Sequence, residues 1–355
     1  IFFLCCSAFF LSRKIVLYTP WMEQGLSYDA KAIYDIAAKN GFDIYISYRT
    51  KRKIKWDCKF ISENKLVEFL NKDDLLFCFE VFPQKQIEHL AKSLSKLYLM
   101  VNFEYYDIRL IQFYKLFKTI FVKSQFAYKE CQKDGLNNIK YLQWILSDFI
   151  LNEERLLNDN EKIKVLFNGG TGGYLDRRNL ESVLNLITKY PNDDVEFVIK
   201  MAGKIRRWSN RILNKHIKSL KEDSRVKIII QNYDRNTYKK FIKSFDINLA
   251  PSKFEGYGLT LLEAMHARVP TITLDAPPMN EIIINGESGI CMPCDEIGLI
   301  NKQPIFQVND SIFLESFTSL VKDRKKINLM KKNTSKNITQ MIDVFTNQIE
   351  NIIND

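Results

Sequence analysis

The chain has 355 residues, 46% of them hydrophobic, which is enough for two folded domains with ordinary apolar cores. Its net charge of +10 suits an anionic partner such as a nucleotide diphosphate, an anionic lipid or a nucleic acid. The basic residues are dispersed and form no patch interleaved with aromatic residues, so nucleic-acid binding is not predicted.

The cysteines and the first residues bear on the cellular compartment. The seven cysteines are scattered without a disulfide framework, which indicates a reducing, cytoplasmic environment. Cys291 and Cys294 form a single CxxC with no second pair and no nearby histidine, so neither a zinc nor a redox role is predicted. Residues 1–12 form an apolar extension, shorter than the roughly 20 residues that span a bilayer. A truncated anchor, a cleaved segment and a simple extension all stay open.

The first half alternates short apolar runs with helical patterns. The predicted strands occupy 14–19, 42–48, 75–79, 97–103 and 119–123. A helix predicted over 28–40 joins the first two strands into a βαβ unit. The stretch 49–55 is strongly basic, and its pattern favours a solvated surface turn over a contact with an anionic membrane.

Strand–helix alternation restarts after a polar segment, 152–162, which is predicted to be a linker. The predicted strands of the second half occupy 164–168, 195–201, 226–230, 245–249 and 271–274. Glycine-containing turns follow three of these strands, at 169–173, at Gly203 and at 256–258. Two doubly wound domains are therefore predicted, with ligands bound where the strands end.

The segment 250–270 organises the second half. Gly256 and Gly258 permit close approach to the backbone, and a helix predicted from Leu259 presents free N–H groups to a phosphate. Glu255 and Glu263 flank this turn and lie about 12 Å apart if helical, so they reach opposite ends of an elongated ligand. The local pattern alone fits a nucleotide-sugar site or an ordinary turn with two solvated glutamates. The other glycine turns favour the nucleotide sugar.

Residues 251–265 resemble the two-glutamate motif of the retaining glycosyltransferases of family four, a group-one family with the GT-B fold. The similarity covers roughly 164–293, whereas the first half shares only the βαβ plan. The resemblance implies two Rossmann-like domains around a deep cleft. The implied units are an acceptor-side domain (13–155), a nucleotide-sugar domain (156–335) and a final helix (336–355) that packs back on the first domain.

The resemblance also implies roles for individual residues. Glu255 would contact hydroxyls of the transferred sugar, and Glu263 those of the ribose. Arg178, with Arg177 as the alternative, would neutralise the leaving diphosphate, so Glu255 and Arg178 are the predicted catalytic residues. The residues predicted to bind the donor are Gly170, Gly172, Gly173, Arg177, Lys204, Gly256, Tyr257, Gly258, Leu259, Thr260 and Glu263.

One departure from the family concerns the diphosphate. Tyr174 and the glycine run stand where the family has a Gly-Arg pair, so Lys204, Arg206 or Arg207 are possible substitutes. A catalytically inactive GT-B binding subunit is the alternative that this departure leaves open. The three histidines are far apart in sequence, so no metal site is predicted and cations replace a metal ion. No cofactor other than the donor substrate is expected.

The acceptor is predicted only by class. A glycan, a lipid-linked acceptor or a small molecule would meet the N-terminal domain, with peripheral membrane contact as a further possibility. Glu104 and Asp107 follow a predicted strand and face the cleft, so they are candidate acceptor contacts. His89 is expected at the surface and His266 in packing. The family transfers sugars with retention of configuration, and a front-face route needs no dedicated base.

Overall fold

The computed structural model describes residues 13–21, 25–48, 56–146 and 155–355. The N-terminal extension 1–12 and the basic stretch 49–55 lie outside these residues, as does part of the predicted linker. Within them, two parallel sheets form two α/β domains, as the alternation of strands and helices predicts.

The N-terminal domain is built on seven parallel strands in the order β3-β2-β1-β4-β5-β6-β7. The strands are β1 (Lys14–Tyr18), β2 (Asp43–Tyr48), β3 (Lys59–Ser62), β4 (Leu75–Phe79), β5 (Lys96–Val101), β6 (Thr119–Val122) and β7 (Ile139–Tyr141). The helices are α1 (Gly25–Lys39), α2 (Leu66–Phe69), α3 (Ile87–Ser93), α4 (Ile111–Tyr114) and α5 (Gln125–Lys133). Strand β4 is buried at every residue, because helices cover both faces of the sheet.

The C-terminal domain contains six parallel strands in the order β10-β9-β8-β11-β12-β13. The strands are β8 (Ile163–Gly170), β9 (Val195–Met201), β10 (Val226–Ile230), β11 (Ile247–Leu249), β12 (Thr271–Leu274) and β13 (Gly289–Met292). The helices are α6 (Leu180–Lys189), α7 (Arg207–Glu222), α8 (Arg235–Lys243), α9 (Leu259–His266) and α10 (Met279–Ile282). An antiparallel hairpin follows, with β14 (Asp295–Ile300) and β15 (Gln303–Gln307).

Both sheets reverse their strand order at one point. The reversal lies between β1 and β4 in the first sheet and between β8 and β11 in the second. In open parallel sheets, ligands bind in the crevice outside the strand ends at such a point. The glycine run follows β8 and the two-glutamate segment follows β11, so the fold places both at the reversal point of the second sheet.

The last helix ties the two domains together. Helix α11 (Asp310–Val321) is followed by α12 (Arg324–Asn354), a single helix of 31 residues. The position 336, expected to begin the final helix, lies inside α12. The far end of α12 packs on the N-terminal domain, where the Phe345 ring lies 5.0 Å from Trp144 and Gln348 accepts a 3.0 Å hydrogen bond from Gln143 N. No helix among the described residues is long and apolar enough to cross a membrane.

Candidate active site

Three cavities are bordered by residues of both domains or of the glycine run. The central cavity, of about 490 Å³, is bordered by Glu104 and Lys123 of the N-terminal domain and by Arg178 and Glu255 of the C-terminal domain. The glycine-side cavity, of about 400 Å³, is bordered by residues 169–174. The Glu263 cavity, of about 600 Å³, is bordered by Glu263 and residues after β10. The central and glycine-side cavities adjoin each other, because Arg177 and Arg178 border both, and the Glu263 cavity is a separate space that Tyr28 borders from the N-terminal domain.

The two-glutamate segment brings its glycines against the opposite domain. A Cβ added to Gly256 would lie 2.7 Å from the Glu104 Cδ atom, a distance that real Cβ atoms do not tolerate. Gly258 has φ of +107° and precedes the first residue of α9, Leu259. A Cβ on Gly25 would also meet the Leu259 side chain at 3.0 Å. At Gly25 and Gly256, side chains of the opposite domain therefore pack directly against the backbone.

Glu255 lies between two arginines at the centre of the cleft. Its side chain is 2% exposed, and its two carboxylate oxygens form ion pairs with Arg177 and Arg178. Burial acts to raise the pKa of Glu255, but the two guanidinium groups outweigh it and hold the pKa below its usual range. Arg178 also donates to Thr260 Oγ1 at 3.2 Å. The site therefore keeps an ionised carboxylate beside two fixed positive charges.

Arg177 connects the two domains. Its Nη1 lies 2.5 Å from Glu104 Oε2, while its Nε donates to the Phe254 carbonyl at 3.2 Å. Burial raises the pKa of Glu104, although Arg177 acts to lower it. Glu104 thus faces Glu255 and the two arginines from the N-terminal domain, at the cleft-facing position that the sequence predicts. Asp107 instead forms an ion pair with Arg109 and does not border any of the three cavities.

Further polar residues of the N-terminal domain border the central cavity. Glu80 follows β4 with φ of +58°, a conformation unusual for glutamate, and accepts a hydrogen bond from Asn102. Lys123 follows β6 and forms a buried ion pair with Asp29, whose other oxygen accepts a 2.7 Å hydrogen bond from Trp144 Nε1. Sequence reasoning missed these four cavity residues, Asp29, Glu80, Asn102 and Lys123. Three of them directly follow strands, and strand-end positions were the available signal.

The glycine run forms a tight loop that precedes the two arginines and brings them into the cleft. Gly170, Gly172 and Gly173 all have positive φ, and a Cβ on Gly172 would collide with the Ser209 side chain. Arg206 borders the glycine-side cavity, whereas Lys204 is exposed and borders none of the three cavities. Arg206 is thus closer to the predicted diphosphate position than Lys204 is.

Glu263 lies at the other end of the cleft, on α9. Its Oε1 is 3.0 Å from Arg235 Nη1, and its Oε2 accepts a 2.9 Å hydrogen bond from the Tyr238 hydroxyl. Sequence reasoning missed Arg235 and Tyr238, which follow β10 and reach Glu263 only through the fold. The two glutamates of the segment therefore border separate cavities, Glu255 paired with two arginines and Glu263 with Arg235.

The remaining candidates border none of the three cavities. His89 is exposed on α3, and buried His266 accepts a 3.1 Å hydrogen bond from Leu146 N. Cys291 and Cys294 are free, and burial raises the pKa of their thiols to about 12 and about 11. In the described parts of the chain, no group of three or more His, Cys, Asp or Glu residues is placed to hold a metal ion.

Comparisons with known proteins fit this geometry. Residues 152–336, more than half of the chain, match the family model described as glycosyl transferases group 1. The chain therefore belongs to the group 1 glycosyltransferases, and the family resemblance of the two-glutamate segment is confirmed.

A curated relative matches over a short segment. The lipopolysaccharide core biosynthesis mannosyltransferase LpsB of Rhizobium meliloti is 35% identical over 57 residues. The matched segment is 16% of this chain and 16% of LpsB, so the chain matches less than a fifth of that relative's length.

Solved structures share the whole fold. A glycosyltransferase from Rickettsia africae has a TM-score of 0.73 at 12% identity, covering 96% of this chain and 99% of its own. Anabaena HepE in complex with UDP and glucose has a TM-score of 0.70 at 11% identity, covering 97% and 100%. The lipopolysaccharide outer core galactosyltransferase WaaB has a TM-score of 0.70 at 13% identity, covering 95% and 98%. The predicted GT-B architecture is confirmed.

Proposed function

We propose that the protein transfers a sugar from a nucleoside diphosphate sugar to an acceptor hydroxyl with retention of anomeric configuration. The observation that carries this proposal is Glu255, which is held between Arg177 and Arg178. Both arginines border the central and the glycine-side cavities. Glu255 accepts hydrogen bonds from the sugar hydroxyls, and the backbone from Gly256 to Thr260 binds the sugar and diphosphate at the start of α9. Glu263 binds the ribose hydroxyls.

The arginines stabilise the charge that develops during transfer. The bond from the anomeric carbon to the diphosphate oxygen breaks, and its electron pair leaves with the diphosphate. Arg177 and Arg178 neutralise that charge in a site where burial strengthens electrostatic interactions. The acceptor oxygen then bonds to the anomeric carbon on the same face, and its proton passes to the leaving phosphate. Two guanidinium groups beside Glu255 support an active enzyme despite the departure from the family's Gly-Arg pair.

The acceptor is proposed to enter from the N-terminal domain, where Glu104 contacts it. A glycan or lipid-linked acceptor agrees with the names of LpsB and WaaB, both of lipopolysaccharide core synthesis. We also propose a cytoplasmic location with peripheral membrane contact, supported by the basic charge and the free cysteines. Cosedimentation with vesicles of anionic lipid at low and high salt tests the membrane contact.

Binding of the donor is tested by a thermal-shift screen against UDP-, GDP- and ADP-sugars. A ligand that binds only the folded state raises the unfolding temperature by mass action. We expect one nucleotide class to stabilise the protein, with UDP-sugars tested first because the HepE structure contains UDP. A Glu263→Ala variant should lose the stabilisation, whereas the surface variant His89→Ala should keep it.

Two measurements test the chemistry. Proton NMR of the product should show the anomeric configuration of the donor, and an inverted product would refute retention. Because cationic side chains supply the positive charge, EDTA treatment should leave the transfer rate unchanged. A rate lost with EDTA and restored by a divalent cation would refute metal independence.

A further inference from the structure

The side chains that hold Glu263 leave its carboxylate able to accept further hydrogen bonds from a ligand. Arg235 pairs with its Oε1 at 3.0 Å, and the Tyr238 hydroxyl donates to its Oε2 at 2.9 Å. Asn168 Nδ2 in turn donates to the Tyr238 oxygen at 2.5 Å. A carboxylate has about four acceptor positions, so each Glu263 oxygen keeps one for a ligand hydroxyl. The carboxylate is therefore oriented without being saturated.

Arg235 also favours the ionised form of Glu263. Burial raises the pKa of Glu263, while Arg235 and the hydrogen bond from Tyr238 act in the opposite direction. An ionised carboxylate only accepts hydrogen bonds, which is what two neighbouring hydroxyl groups of a ribose require. Without Arg235, the buried carboxyl group would bind a proton more readily, and the protonated group would accept fewer hydrogen bonds.

Arg235 reaches the other domain as well. Its guanidinium carbon lies 4.6 Å from the centre of the Tyr28 ring on α1, within the range of a cation–π contact. Tyr28 packs edge-on against Trp56, with ring centres 5.2 Å apart. Tyr28, Arg235 and Glu263 all border the Glu263 cavity. The N-terminal domain thus supplies part of the wall around the Glu263 carboxylate.

We infer that Arg235 is a positioning residue that orients Glu263 toward the 2′- and 3′-hydroxyls of the donor ribose, with Tyr28 holding Arg235 across the domain boundary. This inference rests on the proposed nucleotide-sugar function. It makes the Arg235–Glu263 pair the element that distinguishes ribonucleotides from 2′-deoxyribonucleotides. A site built to bind a hydroxyl rejects an analogue without it, because the polar groups of the site are left unpaired.

The test compares dissociation constants for UDP, GDP and ADP with those of their 2′-deoxy forms, measured by titration calorimetry. For the nucleotide that binds wild type, we expect the ribose form to bind about tenfold more tightly than the deoxy form. Arg235→Ala should weaken the ribose form by about tenfold and the deoxy form much less, so that their ratio approaches one. Arg235→Lys should restore part of the ratio. Arg211→Ala removes an exposed arginine on α7 and should keep the wild-type ratio.

Tyr28 variants test the contact across the domains. Tyr28→Phe keeps the aromatic ring and should keep the ratio, whereas Tyr28→Leu should lower it several-fold. Circular dichroism establishes that each variant is folded; if Arg235→Ala is not, Arg235→Lys and Tyr238→Phe carry the test with the same expected direction. Equal weakening of the ribose and deoxy forms in folded Arg235→Ala, or an unchanged ratio in folded Tyr28→Leu, would overturn the inference. A wild type that binds none of the three nucleotides would overturn the proposed function itself.

Discussion

The two walls of the cleft differ in how the chain builds them and in their charge. The C-terminal wall takes Glu255, the glycines and Glu263 from one segment that runs from the end of β11 into α9, with two arginines from the loop after β8. The N-terminal wall is assembled from separate positions: Asp29, Glu80, Asn102, Glu104 and Lys123. Three of these five are carboxylates, and the only cation among them is paired with Asp29.

This difference separates two tasks. A wall that must stabilise a leaving diphosphate needs fixed positive charge, which adjacent residues in one loop supply reliably. A wall that meets an acceptor needs hydrogen-bond acceptors whose positions can vary independently, and strand ends provide them. We therefore expect substitutions in the C-terminal wall to lower kcat, and substitutions in the N-terminal wall to act mainly on acceptor KM.

The largest effect should come from Arg178 on the C-terminal wall. Arg178→Ala should lower kcat by about 10²–10³-fold, the usual cost of removing one group that stabilises transition-state charge. Arg178→Lys should recover part of the rate because it restores the charge without the planar geometry. Steady-state kinetics with varied donor and varied acceptor concentrations measure kcat and KM for both variants. If Arg178→Ala raised only the acceptor KM, the assignment of charge stabilisation to this wall would be wrong.

Gly256 tests how closely the two walls must meet. Gly256→Ala places a Cβ 2.7 Å from Glu104 Cδ, so either the Glu104 side chain must move away from Arg177 or the walls must separate, and we expect kcat to fall by about tenfold or more. The double variant Gly256→Ala/Glu104→Ala lacks the Glu104 side chain that the new Cβ would meet. Its kcat should therefore be higher than the two single losses combined predict. Simple additivity of the two losses would show that this contact does not limit the approach of the domains.

A smaller effect is expected from Glu104 on the N-terminal wall. Glu104→Gln keeps the shape but removes the charge that pairs with Arg177, so acceptor KM should rise by about tenfold. Slow hydrolysis of the donor by water, measured without acceptor, should change little. A loss of donor hydrolysis equal to the loss of transfer would place Glu104 with the donor instead.

The smallest effect concerns stability and pH. Because Arg177 and Arg178 hold the pKa of Glu255 below its usual range, its stabilising contribution is complete above the ordinary carboxyl pKa of about 4.3. That contribution is lost as the pH falls through the lower pKa of the folded state. The difference in unfolding temperature between wild type and Glu255→Gln should therefore shrink below about pH 4. A difference independent of pH would show that the ion pairs do not stabilise the fold.

The sequence predicted most of the structural features that are determined by residues close together in the chain. Apolar runs predicted most of the sheet strands but not β3 and β13, and the turn and helix start around Gly258 followed from residues next to each other in the chain. Glu104 was found because it follows a strand that faces the cleft. The predicted fold class and the family resemblance are both confirmed by comparison.

What the sequence did not predict depends on distant residues meeting. Arg235 and Tyr238 are more than 20 positions from Glu263 and reach it only because α8, which follows β10, packs beside α9. The hairpin β14–β15 carries alternating side chains too weakly apolar to predict strands. The start of α12 at Arg324 was missed because its N-cap, Asp323, resembles any polar loop residue.

The most direct test of the central claim is the rate of donor turnover in Glu255→Ala, measured with the nucleotide sugar that the binding screen identifies. In the proposed reaction Glu255 holds the sugar and orients the two arginines, so its removal should lower turnover by about a thousandfold or more while the protein stays folded. Turnover equal to that of the wild type would contradict the placement of the transfer reaction at this glutamate.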